Sequence, residues 1–247
     1  MKRAIRKTYH KGGEKETMVS LIQEMAKEMK FQDERLIHIY GEKSSGKSTI
    51  ALISCIDWGL KGYHSIYIDT NNEFSAIRAE EQIREKIAEE KIGIDKEEIL
   101  RKIRVFSPKN LKEQTEIILG LQKYCSPKVK QIVVDDIITH YRTERRTRFK
   151  KSTKLDATQE LAVQLAYLKR LAKEHDIMVV ILNQITISPT EGEKTRRKAV
   201  GEVYIESYAE VNIEIKRTKK KGWRKAEKKE SEKERREIMI KIGKEEE

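Results

Sequence analysis

Hydrophobic and polar residues alternate along the chain in blocks that predict strands and helices in turn. Short apolar runs bounded by turn residues predict buried strands, and apolar residues spaced three or four positions apart predict amphipathic helices. Strands are predicted at residues 36–39, 65–70, 103–106, 131–136, 177–182, 211–215 and 238–242. Helices are predicted at residues 17–29, 47–58, 75–91, 94–101, 110–123 and for about twenty residues after position 154. Because strands alternate with helices, we expect an α/β fold with a mostly parallel central sheet flanked by helices.

Two regions of the chain lack this regular pattern. Residues 1–16 are polar and basic and predict a flexible N-terminus, while residues 17–247 suit a single domain. Residues 217–235 are dense in Lys and Glu without apolar periodicity, and we interpret them as a charged, mobile hairpin loop. The strands on either side of that loop are therefore expected to form an antiparallel pair at the C-terminal end of the sheet.

The charge balance of the chain is strongly basic. It has 53 Lys and Arg residues against 41 Asp and Glu residues, which gives a formal net charge of +12. Such an excess favours a polyanionic partner, because cations that contact phosphates release counterions. A surface rich in Lys and Glu is also common in heat-adapted proteins that need no such partner. Composition leaves both explanations open, and the position of the charges has to decide between them.

Two further features limit the class of protein. The two cysteines, Cys55 and Cys125, have no spacing typical of a metal site or a disulfide framework, and Cys55 is expected to be a buried free thiol. The basic N-terminus precedes no apolar stretch long enough for a signal peptide or a membrane span. We therefore expect a cytoplasmic protein with no membrane partner.

The clearest chemical signal follows the strand at residues 36–39. Gly41, four residues, Gly46, Lys47 and Ser48 match the P-loop pattern without a mismatch. The glycines permit a tight turn whose N–H groups face one anion, and the helix that begins near Lys47 adds its positive N-terminal end. Lys47 is expected to reach the outer phosphates of ATP and Ser48 to bind Mg²⁺; the alternative is a simple Gly/Ser turn. The nucleotide-binding residues predicted from this loop are Gly41, Glu42, Lys43, Ser44, Ser45, Gly46, Lys47, Ser48 and Thr49.

Polar side chains end three of the predicted core strands. These residues are Asp69, Asp135, Asp136, Asn183 and Gln184. Ligands of parallel α/β sheets bind beyond the carboxyl ends of the strands, so these groups are expected near the P-loop. Asp135 is the candidate carboxylate for the Mg²⁺ site, with Asp136 as its neighbour, because it directly follows an apolar run. A terminal Asp that satisfies a turn, and a Gln184 that is only a polar strand terminus, are the alternatives.

Several of these segments together resemble one protein family. Residues 67–70, 134–142, 162–175 and 179–184 resemble successive motifs in the RecA-fold ATPase core of archaeal and eukaryotic recombinases, the RadA family and its shorter RadB-type paralogues. The likeness extends over residues 35–216. It implies a RecA-like P-loop ATPase core that uses ATP and Mg²⁺ and acts in homologous recombination and DNA repair.

The resemblance also implies roles for individual residues. Lys47 and Ser48 bind phosphate and Mg²⁺, and Asp135 supports the metal. Gln184 senses the γ-phosphate and passes its state to the loop that follows. Arg78 occupies the position of the family's arginine that stacks on adenine. Lys47, Asp135 and Gln184 are thus the implied catalytic residues.

One departure from the family pattern affects catalysis. The family carries a glutamate that orients the attacking water, and this chain has Asn71 at that position. An amide can position water but cannot accept its proton, so general-base catalysis at Asn71 is not expected. Glu73, two residues later, is the candidate substitute. We therefore expect slow, DNA-modulated ATP hydrolysis; ATP binding with hardly any turnover is the alternative.

Two basic segments resemble the DNA-binding loops of the family. Residues 142–154 match the first loop and residues 185–201 the second. The first carries seven Lys or Arg residues, one acid and Phe149, a mixture that single-strand binders use for phosphate pairing and base stacking. A solvated loop is the alternative. The predicted DNA-binding residues are Arg142, Arg145, Arg146, Arg148, Lys150, Lys151, Arg196 and Arg197.

The leading functional hypothesis is an ATP-binding, weakly hydrolysing recombinase paralogue that binds single-stranded DNA and assists a recombinase or other repair proteins. We find no clear counterpart of the family's helix-hairpin-helix domain or of its aromatic-x-x-Ala polymerisation segment, which favours an accessory role over strand exchange. The alternatives are a regulatory ATP-binding module that acts through protein partners, and a helicase-loader or clock-type RecA-fold ATPase. Binding to double-stranded DNA and homo-oligomerisation stay open.

Overall fold

The computed structural model describes residues 4–5, 20–90, 93–147, 151–185, 200–230 and 234–243. In these residues the strands are β1 (Ala4–Ile5), β2 (Leu36–Gly41), β3 (His64–Asp69), β4 (Ile103–Phe106), β5 (Val129–Asp135), β6 (Met178–Gln184), β7 (Val211–Arg217), β8 (Trp223–Lys229) and β9 (Arg235–Lys241). The helices are α1 (Leu21–Met29), α2 (Lys47–Leu60), α3 (Ala76–Glu90), α4 (Lys96–Leu100), α5 (Leu111–Leu119), α6 (Thr139–Thr147), α7 (Lys151–Glu174) and α8 (Val200–Tyr208), with a 3-10 helix at Leu121–Tyr124.

All nine strands join one sheet in the order β1-β9-β8-β7-β2-β6-β5-β3-β4. Strands β4, β3, β5, β6, β2 and β7 pair in parallel, while β8 pairs antiparallel with both β7 and β9. We call β2 to β6 and their helices the parallel region, and β7 to β9 the C-terminal extension. The predicted α/β class, with a mostly parallel sheet flanked by helices and antiparallel strands at the C-terminal end, is confirmed.

Helices cover both faces of the parallel region, so successive strand residues enter two separate cores. In β2, Leu36 packs with one core and Ile37 with the other, and in β5 Val133 and Val134 separate in the same way. Helices α1 to α3 close the first core, and α5 to α8 close the second. Burial on both faces explains why these strands read as nearly continuous apolar runs.

The charged segment 217–235 is not a loop throughout, and that prediction is wrong. Strand β8 lies within it and separates β7 from β9, so the predicted antiparallel pair is a three-stranded arrangement. One face of β8 points to the core through Ala226, but its neighbours on that face, Arg224 and Lys228, are cations. Long cationic side chains can reach polar atoms past an apolar surface and can therefore occupy inward-facing positions. The sequence of β8 then lacks the apolar residue at every second position that predicts a strand.

The N-terminal segments differ from the expectation in two details. Ala4–Ile5 pairs in parallel with β9, so these two residues are a strand within the predicted flexible N-terminus; residues 1–3 and 6–19 lie outside the described part of the chain. Helix α1 is capped by Ser20 rather than by Thr17, because the Ser20 hydroxyl accepts from the Gln23 N–H while the Gln23 side chain accepts from the Ser20 N–H.

The basic loop predicted from residue 141 to 154 is mostly helical, so that part of the prediction is wrong. Helix α6 covers residues 139–147, and α7 begins at Lys151. The segment contains no Gly or Pro, and Tyr141 is anchored in the core, so good helix formers continue the helix. The predicted leucine face of α7 is confirmed, since Leu161, Leu165, Leu168 and Leu171 are fully buried. Among the helices described, none is both long and apolar enough to cross a membrane.

Candidate nucleotide site

The P-loop joins the end of β2 to the start of α2, as its sequence predicts. Gly46 has a φ of 96°, a left-handed conformation that favours glycine, and Gly41 packs so closely on β7 that an added Cβ would lie 2.4 Å from the Ile215 carbonyl oxygen. Within the described residues no side chain caps the first turn of α2. Its N–H groups and the positive end of its dipole therefore face the loop, which is the arrangement that binds phosphate.

Lys47 lies at the centre of this loop with its ammonium group folded against it. Its Nζ donates to the carbonyl oxygens of Gly41 at 3.0 Å and Glu42 at 2.8 Å, and to the Ser45 hydroxyl at 3.4 Å. Burial lowers the pKa of Lys47, while the carboxylates of Asp136, Asp135 and Glu73 act to raise it. A buried ammonium held by neutral oxygens is well suited to exchange them for an anion.

Ser48 and Asp135, the two predicted metal ligands, lie together. The Ser48 hydroxyl lies near enough to the Asp135 carboxylate to lower its pKa, and the Tyr67 hydroxyl donates to Asp135 Oδ2 at 2.6 Å. Burial raises the pKa of Asp135, and these two hydroxyls partly oppose that shift. A hydroxyl and a carboxylate oxygen are the protein ligands that P-loop enzymes offer to Mg²⁺, so the donor set fits this ion. The described residues contain no cluster of three or more His, Cys, Asp or Glu that would suit a different metal site.

Asp136 connects the β5 end to the β6 end. Its carboxylate accepts from the Gln184 N–H at 2.6 Å and from the Ile138 N–H at 3.0 Å, and its own N–H donates to the Thr70 hydroxyl. Burial raises the pKa of Asp136 to about 6, partly opposed by those two backbone hydrogen bonds. The tips of β3, β5 and β6 are therefore held together by hydrogen bonds, as the strand-end argument predicts.

The turn after β3 positions the residues that stand where the family has its catalytic glutamate. Asp69 accepts from the Asn71 N–H at 3.2 Å and from the Phe74 N–H at 2.7 Å, so its carboxylate holds the turn. The turn-satisfying alternative therefore describes Asp69 well. Asn71 and Glu73 are both exposed and both line the same cavity.

A cavity of about 310 Å³ lies over the P-loop and collects most of the predicted site. This volume lies at the lower end of the range of about 300–1,000 Å³ that is typical of small-molecule sites. Its lining residues are Lys43, Ser44, Gly46, Lys47, Ser48, Thr49, Asn71, Glu73, Arg78, Asp135, Asp136, Gln184 and Arg224. The predicted catalytic residues Lys47, Asp135, Gln184 and Glu73 therefore meet in one place.

Two arginines line this cavity, and the sequence predicts only one of them as a site residue. Arg78 lines the cavity as predicted, with its guanidinium on the Thr49 hydroxyl; stacking on adenine stays a prediction. The sequence pattern does not predict Arg224 as a site residue, because residues 217–235 show no apolar periodicity and indicate a loop. The signal that would have found it is the alternation Arg224, Ala226, Lys228 after Gly222, which places a small core residue between two long cations.

The predicted DNA-binding residues fall into three groups. Arg142 donates to the Gln184 carbonyl oxygen at 2.8 Å and to Glu202 at 3.3 Å, with its side chain 28% exposed. Arg145 donates to the Tyr141 hydroxyl at 2.7 Å, and Arg146 is exposed. Arg148, Lys150, Arg196 and Arg197 lie outside the described residues, and for Lys151 only the helical backbone is described. Their contact with DNA stays a prediction.

Comparisons with known proteins agree with this geometry. A family model described as Rad51 matches residues 20–242. The DNA repair and recombination protein RadB of Methanobrevibacter smithii is 31% identical over 183 residues, which is 72% of this chain and 71% of that protein. The RadB protein of Thermococcus gammatolerans is 32% identical over 161 residues, 65% of each chain, so the match spans just under two thirds of that relative.

A solved structure extends the likeness to the fold. The chain described as the crystal structure of the RadB recombinase is similar with a TM-score of 0.64 and 29% identity, covering 85% of this chain and 87% of that one. The RecA-like fold predicted from the motifs is therefore confirmed, and so is the resemblance to RadB. This chain belongs to the Rad51 family and, within it, to the RadB-type DNA repair and recombination proteins.

Proposed function

We propose that this protein binds ATP with Mg²⁺, hydrolyses it slowly, and binds single-stranded DNA as an accessory factor for a recombinase or other repair proteins. The observation that carries the proposal is the cavity over the P-loop, where Lys47, the Ser48–Asp135 pair and Gln184 meet. Each of these groups suits one part of a metal-bound triphosphate. The RadB and Rad51 likeness supports the link to recombination.

The phosphates would be held mainly by backbone N–H groups of the loop and by Lys47. Lys47 would exchange its bonds to Gly41 and Glu42 for phosphate oxygens, a stronger, charge-assisted interaction. Ser48 and Asp135 would hold Mg²⁺, which supplies charge neutralisation for the polyphosphate. Ser48 and Asp135 already lie close together, as this role requires.

Slow hydrolysis follows from the turn after β3. The Asn71 amide can orient a water molecule but cannot take its proton. The Glu73 carboxylate lines the same cavity and can take that proton, yet it lies on a turn that Asp69 fixes through the Asn71 and Phe74 N–H groups. Proton transfer to Glu73 therefore requires the water to approach a side chain displaced from the family position.

A chain of contacts links the cavity to the segments proposed to bind DNA. The Asp136 carboxylate accepts from the Gln184 N–H, and the Gln184 carbonyl accepts from Arg142. Arg142 lies on α6, which leads into the first basic segment, and pairs with the 5% exposed side chain of Glu202 on α8, which follows the second. A ligand that shifts Gln184 would thus act on both segments, which supports coupling between ATP and DNA.

Calorimetric titration with MgATP tests the nucleotide site. The wild-type protein is expected to bind, and Lys47→Ala is expected to weaken binding by at least about a hundredfold, because a charge-assisted contact to phosphate is lost. Lys112→Ala, which removes an exposed cation from α5, is the matched control and should bind like the wild type. Absence of heat with the wild type would remove the whole proposal.

Phosphate release separates the roles of Asn71 and Glu73. If Glu73 takes the proton, Glu73→Gln should lower kcat about a hundredfold with little effect on ATP affinity. Asn71→Glu should raise kcat, because it restores a carboxylate at the family position. A Glu73→Gln variant with unchanged kcat would exclude Glu73 as the base.

DNA binding is tested by the charge reversal of Arg145, Arg146 and Arg148 together, measured with fluorescent single-stranded DNA over a salt series. The triple variant should lose affinity and show a shallower salt dependence, because fewer phosphates are neutralised. Its ATP affinity should not change. Equal losses of ATP and DNA affinity would contradict the assignment of these arginines to DNA.

A regulatory ATP-binding module that acts through protein partners is the second candidate. It is favoured by the internal pairing of Arg142 with Gln184 and Glu202 and by Asn71 in place of an acid. Under that function the wild type would bind MgATP but would show no DNA affinity even at low salt. The same two titrations therefore distinguish the candidates.

A further inference from the structure

Arg224 reaches the P-loop from the opposite end of the chain. It lies on β8, its Nε donates to the Ser45 carbonyl oxygen at 2.8 Å, and its side chain lines the cavity that contains Lys47. The contact is close, because a Cβ added at Gly46 would lie 3.1 Å from Arg224 Nε and 2.5 Å from Ile242 Cδ1. The C-terminal extension is therefore one wall of the nucleotide site.

The surroundings of Arg224 supply no counter-charge. Within the described part of the chain it forms no salt bridge, and its hydrogen bonds go to the neutral carbonyl oxygens of Ser45 and Trp223. Burial, and then the nearby Arg217 cation, lower the pKa of Arg224. A half-buried guanidinium beside other cations is unfavourable unless an anion completes the site.

One nitrogen of the Arg224 guanidinium has no partner among the described residues. Nε and Nη1 are the atoms that bond to carbonyl oxygens, and Nη2 donates to no atom of the described residues. Guanidinium N–H groups lie in one rigid plane, so fixing Nε on Ser45 also fixes the direction in which Nη2 points. The Ser45 carbonyl thereby fixes the orientation of a guanidinium that lines the cavity.

We propose that Arg224 is a phosphate-binding residue of this nucleotide site, supplied by the same chain and donating through Nη2 to a phosphate oxygen of a nucleoside di- or triphosphate. The assignment rests on the proposed ATP site. It gives β8, the strand that is most charged, a direct role in ligand binding. It also makes the position of the C-terminal extension depend on whether phosphate is bound.

A structural role for Arg224 is the competing explanation, because its Nε supports the Ser45 carbonyl. Arg224→Gln separates the two roles, since its amide can still donate to Ser45 but carries no charge. Arg224→Lys keeps the charge without the planar fork. Lys229→Gln removes a cation from the exposed end of the same strand and is the matched control.

The experiment is calorimetric titration of each variant with MgATP and MgADP at low and high salt, together with thermal unfolding. Arg224→Gln should weaken MgATP binding about tenfold to a hundredfold and flatten its salt dependence, because a charge-assisted contact to phosphate is lost. Arg224→Lys should recover part of the affinity. Lys229→Gln should match the wild type in affinity and in salt dependence.

Two results would overturn the assignment. One is an Arg224→Gln protein that binds MgATP like the wild type. The other is an Arg224→Gln protein with a lower melting temperature and weaker binding but an unchanged salt dependence, which would make Arg224 only a support for the P-loop. Failure of the wild-type protein to bind MgATP is a separate outcome, because it would remove the proposed function itself.

Discussion

The parallel region and the C-terminal extension use charge in opposite ways. In the parallel region the strands are apolar, and an ion pair such as Asp57–Lys86 is buried between helices, with side-chain exposures of 0% and 11%. In the C-terminal extension one face of β7 to β9 packs on the core. The other face carries ion pairs between the 6% exposed side chain of Glu227 and cations that are 25% to 55% exposed. Both regions nevertheless contribute to the same cavity.

This difference indicates how strongly single charged residues stabilise each region. A buried carboxylate needs every partner it has, because an unpaired charge in an apolar environment is costly. A surface network loses little with any one member, because water and neighbouring ions replace it. Single substitutions should therefore be severe in the parallel region and graded in the C-terminal extension. Four variants, taken from the largest expected effect to the smallest, test this contrast.

Lys86→Met should have the largest effect. Lys86 Nζ donates to Asp57 Oδ1 at 2.6 Å, and Asp57 Oδ2 accepts from the Leu21 N–H, so this carboxylate ties α1, α2 and α3 together. Removing the cation should lower the free energy of unfolding by about 3–5 kcal/mol. Urea denaturation measures it, with Arg84→Met on the same helix as the control at under about 0.5 kcal/mol. A loss equal to that of the control would contradict the contrast.

Glu227→Gln should be intermediate and dependent on pH. Although burial acts to raise the pKa of Glu227, hydrogen bonds from Lys216 and Lys225 outweigh it and hold the pKa below its usual 4.5. The native state therefore prefers the ionised form, so the stabilisation is complete above pH 4.5 and is lost as pH falls through the lower folded value. We expect a loss of about 1–2 kcal/mol at neutral pH.

The measurement for Glu227→Gln is urea denaturation at neutral pH and at about pH 3. The difference from the wild type should shrink at the lower pH. Glu116→Gln, which removes an exposed carboxylate from α5, should show almost no difference at either pH. A gap between Glu227→Gln and the wild type that widens on acidification would reverse the assigned sign.

Lys228→Met tests the inward face of β8. Lys228 Nζ donates to the carbonyl oxygens of Met29 at 2.9 Å and Lys30 at 3.1 Å, where α1 ends. Losing this cation at the negative end of the helix should cost about 1 kcal/mol in thermal unfolding. Lys229→Met, one residue later on the exposed end of the strand, should cost much less. Equal losses would show that Lys228 has no special role.

Glu237→Gln should have the smallest effect. Its carboxylate lies 2.8 Å from Lys225, and the two side chains are 30% and 25% exposed. Such a pair contributes roughly 0–1 kcal/mol and is screened by salt. The difference in unfolding free energy from the wild type should therefore disappear in about 1 M salt. A loss as large as that from Lys86→Met would show that the surface network behaves as a buried one.

Sequence reasoning was most successful in the parallel region. Lys47, Asp135 and Gln184 lie at one edge of the sheet, as their pattern predicts, because parallel strands bring their carboxyl ends to one edge. Their roles in binding and catalysis stay predictions. Buried strands are also recognisable in the sequence, since a strand that is buried on both faces has apolar residues at nearly every position. The right-handed crossovers of βαβ units then limit the possible topologies of the sheet to a few.

Both elements that the pattern does not reveal are rich in long polar side chains, and such side chains can also occupy positions facing the core. The sequence pattern does not reveal strand β8, because Arg224 and Lys228 take inward-facing positions and donate hydrogen bonds to carbonyl oxygens of the P-loop and of α1. Helix α6 was missed because its basic composition suggested a solvated loop, although Tyr141 anchors it. Contacts of this kind depend on tertiary structure, so local pattern alone does not reveal them.

The packing around Gly46 determines when the nucleotide pocket is completed during synthesis of the protein. This glycine lies between β2 and α2, yet a Cβ added there would meet Arg224 and Ile242, which are synthesised long after it. The bond from Arg224 to Ser45 spans 179 positions in sequence. During synthesis on the ribosome, the parallel region can emerge and assemble before the C-terminal extension has been made. The nucleotide pocket is therefore completed only when β8 and β9 have been synthesised. A translation product that stops before β8 would contain the P-loop motif without Arg224, which lines its pocket from the C-terminal extension.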